Sequence, residues 1–163
     1  MVDYIMNSGF EKERIQLVAC TYDNEADSGQ KILDMIKVPL FERGWRNIKT
    51  VNVVGKAIKT ISEGKNQIII IDEFLGTGRS LRTRVEWLNK NANQPIEIKC
   101  CFMAGMKYAV ETLKADSIDI FRPLTTKKQE ILNLEYYHFL KSIKLLLYHT
   151  QMNNLQVFSL ELF

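Results

Sequence analysis

The chain predicts an α/β fold: a doubly wound, mainly parallel sheet with helices on both faces. Runs of β-branched and aliphatic residues alternate with stretches whose apolar residues recur at helical spacing. The strand runs are apolar at successive positions rather than at every second one, as expected for strands covered on both sides. The length of 163 residues suits one core and not two, so residues 1–163 are expected to form a single domain.

In order, "RIQLVAC" (Arg14 to Cys20) is the first expected strand. Ser28 then stands where a helix would be capped, and Ile32, Leu33, Ile36 and Leu40 carry the helical spacing until Pro39 disturbs it. "IKTVNVV" (Ile48 to Val54) predicts a second strand, and Gly55 to Ile61 a helix. Ile68 to Ile71 is a third strand, followed by a helix from Ser80 through Asn89 with Leu81, Val85 and Leu88 on one face. "IEIKCCFM" (Ile96 to Met103) predicts a strand, Gly105 to Ala115 a helix, and Ser117 to Phe121 a strand ending at Pro123. Beyond it, "TKKQEILNLEYYHFLK" looks helical, and "KLLLYHT" and "LQVFSLELF" predict a C-terminal β extension, as a hairpin or added to the sheet edge.

Composition excludes several classes. Hydrophobic residues at 46% and charged residues at 25% are ordinary for a globular protein, and no apolar run spans a membrane, so a cytoplasmic location is expected. A net charge of +3 is too small to argue for nucleic-acid binding. Neighbouring Cys100 and Cys101 would point to opposite faces of a strand and are expected to be reduced core thiols.

The chemistry concentrates in "IIIIDEFLGTGRSL" (Ile68 to Leu81). In open α/β sheets a ligand sits beyond the carboxyl ends of the strands, where each loop meets the next helix. Gly76 and Gly78 allow backbone amides to turn inward, Thr77 and Ser80 add hydroxyls, and the following helix supplies a positive dipole end, with Arg79 between them. That combination suits one phosphate. The loop lacks the Gly-Lys-Ser/Thr ending of a P-loop and the third glycine of a dinucleotide fingerprint. Asp72 and Glu73 would repel a phosphate, but two carboxylates can accept hydrogen bonds from a vicinal diol or reach magnesium through water. A ribose between the acids and the phosphate satisfies both ends.

This order, a hydrophobic run, an acidic pair, two apolar residues, a small residue, Thr-Gly, any residue and Ser/Thr, resembles the phosphoribosyl-diphosphate (PRPP) motif of type I phosphoribosyltransferases. The resemblance implies that Asp72 and Glu73 form the catalytic acidic pair holding the ribose 2′- and 3′-hydroxyls, and that Gly76, Thr77, Gly78, Arg79 and Ser80 wrap the 5′-phosphate. The tail "LLLYHTQMNNLQVF" is further similar to the ending of the conflict-system subgroup called PRTase-CE, and "EADSGQ" matches that group's Asp-Ser element at Asp27, Ser28 and Gly29. Met152 replaces the group's usual proline, and its closing tryptophan is missing. Asn153 and Asn154 are a ligand contact or a hairpin turn, or both.

Other positions keep two readings. Thr21, in Cys20-Thr21-Tyr22, is a pyrophosphate-loop candidate or a turn without ligand, and Ser28 is an anion contact or an N-cap. Arg43 and Arg46 belong to a basic flap or to a surface turn with Trp45 in the core, and Arg79, Arg82 and Arg84 add positive potential or form a solvated face. No spacing suggests a protein-built metal site, and neither His138 nor His149 has triad partners.

The resemblance implies a PRPP-binding, phosphoribosyltransferase-like effector of a bacterial antiviral defence system, acting by phosphoribosyl transfer or by nucleotide or PRPP hydrolysis, with Mg2+ accompanying PRPP. The alternative is a catalytically inactive subunit, sensing PRPP or a nucleotide or assembling a defence complex such as a retron with protein partners. No membrane partner is expected, and oligomerisation stays open.

Overall fold

The computed structural model describes residues 1–21, 28–122 and 124–126, with Ser28 and residues 124–126 by backbone alone. Five strands, β1 (Ile15–Ala19), β2 (Lys49–Val51), β3 (Gln67–Leu75), β4 (Glu97–Met106) and β5 (Asp119–Phe121), lie in the order β2-β1-β3-β4-β5. Every pairing is parallel. Such pairings require crossovers, and α2 (Ser28–Glu42), α3 (Ala57–Ser62), α4 (Arg79–Asn91) and α5 (Lys107–Ala115) provide them. From β1 the chain first steps outward to β2 and then returns to place β3 on the other side of β1. The sheet's switch point therefore lies between the carboxyl ends of β1 and β3, where α/β sheets bind ligands.

Strand alternation divides the core. Ile15, Leu17, Ala19, Ile69, Ile71 and Cys101 pack on one face against Ile32, Leu33, Ile36 and Leu40 of α2. On the other face lies a polar exception. Gln16 is fully buried, and its Nε2 donates to the Lys65 carbonyl at 2.6 Å. Its Oε1 lies 2.5 Å from Thr60 Oγ1, which is also 2.9 Å from the Ala57 carbonyl. This network ties α3 to β1. Thr60→Val should cost about 1–3 kcal/mol, because it strands a buried amide oxygen. Urea unfolding should show Gln16→Leu together with Thr60→Val losing less than the two single changes summed.

Several boundaries depart from expectation. α2 does not stop at Pro39 but runs to Glu42. Proline has no N–H for the Met35 carbonyl, yet the last turn is held by fully buried Leu40 and by N–H donations from Arg43 to Pro39 and from Trp45 to Leu40. The second strand is shorter, Lys49–Val51, and Val54–Lys56 form a 3-10 turn before α3. β4 extends to Met106 and takes in the expected helix start at Gly105.

Helix α1 (Val2–Met6) was not expected, since five residues are too few to display a period. It buries Ile5 and stacks Tyr4 on Phe121, with ring centroids 4.5 Å apart.

Pairing also resumes beyond Pro123, where β6 (Leu124–Thr126) lies along β4. Lys99 pairs with Asp119 and Ala104 with Leu124, so β5 and β6 continue one register along one edge. Arg122 and Pro123 fall between them in the sequence. Thr126 thus belongs to a strand and not to the expected helix. The remaining C-terminal elements expected, including the β extension, lie outside the described residues. Among the described residues no helix is long and apolar enough to cross a membrane.

Candidate functional site

The four isoleucines Ile68 to Ile71 are fully buried and anchor β3 between β1 and β4. The sequence ends the expected third strand at Ile71, ahead of Asp72 and Glu73; the structure places both inside β3, which continues to Leu75. Leu75 is 2% exposed and pairs with Gly105, so burial draws the strand onward past the acids. Both acids are half-buried. Asp72 Oδ1 accepts the Glu73 N–H at 2.7 Å, and the ladder with β4 passes from Asp72 to Phe74 without pairing Glu73.

Past Leu75 the chain turns through Gly76, Thr77 and Gly78 into α4. Gly78 takes the N-cap position with φ 79° and ψ −7°, a left-handed conformation that glycine adopts without strain. Its carbonyl accepts the Arg82 N–H at 2.9 Å, starting the helix, and Thr77 Oγ1 accepts the Arg79 N–H at 3.4 Å. No hydrogen bond to the described residues engages the N–H groups of Gly76, Thr77, Gly78 and Ser80. Thr77, Arg79 and Ser80 are exposed. Gly78 itself is buried, but the turn presents the hydroxyls and unengaged amides of exposed Thr77 and Ser80 at the amino end of a 13-residue helix, which suits an oxyanion.

Across the switch point, Thr21 follows β1. The Cys20 N–H donates to the Ile71 carbonyl at 2.9 Å, which holds the end of β1 beside the residue preceding Asp72. Thr21 is 2% exposed, its carbonyl accepts the Val54 N–H, and its Oγ1 is buried without a hydrogen-bond partner among the described residues. The structure thus brings Thr21 near the acidic strand end. Ser28 is the first residue of α2 rather than the residue before it. Asp27, Asn153 and Asn154 lie outside the described residues, as do His138 and His149.

Other candidates are committed elsewhere. Arg82 bonds Asp116, and Arg43 bonds Asp3. Trp45 is 7% exposed, so its segment is a surface turn anchored in the core. Burial pushes the Cys101 thiol up to about 12 and that of Cys100 upward as well, which leaves both protonated and inert near neutrality. Among the described residues no cluster of three His, Cys, Asp or Glu side chains is placed to hold a metal.

Sequence reasoning missed one residue that shapes the cradle. A Cβ on Gly78 would fall 2.7 Å from Cδ1 of Leu113, a buried residue of α5. Nothing local to the turn signals this contact, because the two residues meet only through the packing of separate helices.

The PRTase-CE family model matches residues 3–158. The fold is similar to TT1426 from Thermus thermophilus, with TM-score 0.51, 11% identity, and coverage of 77% of this chain and 79% of that one. It is also similar to an orotate phosphoribosyltransferase from Aeropyrum pernix, with TM-score 0.48, 14% identity, and coverage of 83% and 74%. No curated protein matches.

Proposed function

This chain belongs to the PRTase-CE family, and from that premise we propose that it binds PRPP or a related ribose 5-phosphate nucleotide at the switch point. The observation carrying this reading is a turn with disengaged amides, capped by left-handed Gly78, directly downstream of an acidic pair at a central strand end. Gly76, Thr77, Gly78 and Ser80 receive the 5′-phosphate. Arg79, exposed at the first turn of α4, adds positive charge beside it. Asp72 and Glu73 accept the ribose hydroxyls, and Thr21 Oγ1 offers an unused donor on the pyrophosphate side.

Magnesium is held mainly by ligand oxygens in sites of this kind, with one or two carboxylates completing the shell. Asp72 and Glu73 fit that requirement, while the described residues supply no protein-built cage. The ion would neutralise charge on the pyrophosphate. The protein would position the sugar for loss of pyrophosphate from C1, a step governed by orientation and electrostatics.

The family resemblance supports a role in a bacterial antiviral defence system, as a transferase or hydrolase or as a ligand-sensing subunit. Calorimetric titration with PRPP and magnesium tests the binding reading, and the expected result is saturable binding at one site per chain. Turnover with mixed bases then divides the activities. Release of pyrophosphate or phosphate marks an enzyme, and binding without release marks a sensor. No binding at millimolar PRPP would overturn the assignment.

A further inference from the structure

A second surface lies at the amino ends of β1, β2 and β3. Two clefts there, of about 410 and 480 Å3, merge across Trp45, Arg46 and Ile48, which line both. Lys37, Val38 and Phe41 of α2 form one wall, while Lys12, Glu13 and Lys65 form the other.

The groove is apolar along one side. Val38 is 60% exposed and Phe41 53%, and Met35, 39% exposed, extends the strip one turn back along α2. Contiguous exposed apolar side chains of this size mark interaction surfaces.

It is also cationic. Among the described residues Glu13 is the sole acid lining it, and Lys12, Arg46 and Lys65 join no salt bridge; Lys37 is paired with Asp34. Instead, the Arg46 guanidinium lies 5.3 Å from the Phe41 ring centroid and the Lys12 ammonium 5.5 Å from that of Trp45. Lys12 Nζ also donates to the Gly44 carbonyl at 3.5 Å and Lys65 Nζ to the Glu13 carbonyl, each using one of three N–H donors, so the remaining donors and the Arg46 fork are left for carboxylates.

We propose that this groove docks an acidic amphipathic segment of a partner protein, seating a large apolar side chain on Val38 and Phe41 and its carboxylates on Lys12, Arg46 and Lys65. The chemistry favours a peptide over a polynucleotide. Trp45 is nearly buried and Phe41 already carries Arg46, which limits base stacking, and a nucleotide offers little aliphatic surface, at most a thymine methyl, to cover Met35 and Val38.

A random dodecapeptide phage library selected on the immobilised full chain tests the proposal. Recovered sequences should combine Asp or Glu with Leu, Ile, Phe or Trp. A labelled synthetic copy of the most enriched one should bind at least tenfold more weakly to Val38→Asp and to Arg46→Glu. Both positions are exposed, so circular dichroism and PRPP binding should match the parent chain. Selection of no sequence, selection of neutral or basic sequences, binding indifferent to either change, or tighter binding of oligothymidylate at the same residues would each overturn it. The site is remote from the cradle, so failure here leaves the PRPP reading untouched.

Discussion

Replacing Asp72 by Asn and Glu73 by Gln together is expected to weaken PRPP binding by roughly a hundredfold or more, to the limit of calorimetric detection. Each carboxylate would lose a charge-assisted hydrogen bond to a ribose hydroxyl, worth about 1.5–3 kcal/mol. Two such losses sum to about 3–6 kcal/mol, which exceeds the 2.7 kcal/mol corresponding to about a hundredfold. The fold should survive. Asn retains the Oδ1 that accepts the Glu73 N–H, and both side chains are only half-buried, so neither change opens a cavity in the core. Melting temperature measured beside affinity separates the possibilities: unchanged affinity in a folded double variant would reject the ribose assignment.

A methyl group at the cradle's N-cap produces the largest stability loss. Gly78→Ala forces an L-residue into φ 79°, at about 1–2 kcal/mol, and sets a Cβ 2.7 Å from Leu113 Cδ1. Leu113 is 1% exposed and has no solvent side to swing towards, so overpacking adds about 1–3 kcal/mol. The sum, about 2–5 kcal/mol, is a large share of the 5–15 kcal/mol that typically separates folded from unfolded chains. Urea unfolding of the parent, Gly78→Ala, Leu113→Ala and the double variant isolates the clash. Shortening Leu113 makes room, so the double variant should be more stable than additivity predicts, by about 1–3 kcal/mol. Strict additivity would mean that backbone strain alone explains the loss. Because an altered turn also redirects the amides of Thr77 and Ser80, PRPP binding should fall in Gly78→Ala even where the chain remains folded.

How much of the site is legible in the chain can be judged from the acids. Their order relative to the isoleucine run, the glycines and α4 is visible in the sequence, because each residue type carries a local preference. The extent of β3 is not. Phe74 and Leu75 look like any short apolar link, and only pairing of Leu75 with Gly105 of β4 makes them strand. Pro39 shows the same limit from the other side. Its local chemistry argues for a break in α2, and burial of Leu40 overrides it.

The continuation of β5 into β6 follows the same rule, for the common register along β4 is a property of the pair and cannot be found in either segment. The apolar strip of α2 is a further case. Met35, Val38 and Phe41 count as core residues by type, and only the position of α2 on the sheet leaves them exposed.

By itself the sequence determined the alternation of strands and helices, the parallel α/β class, and the acid-glycine-threonine order on which the proposed binding reading rests. These are short-range matters of side-chain shape, backbone freedom and hydrogen-bonding groups. The tertiary structure alone decided which strands are neighbours, where the switch point falls beside Thr21, and how Leu113 closes over Gly78. Those facts depend on contacts between residues far apart in the chain, whose energies exist only once separate elements pack and exclude water.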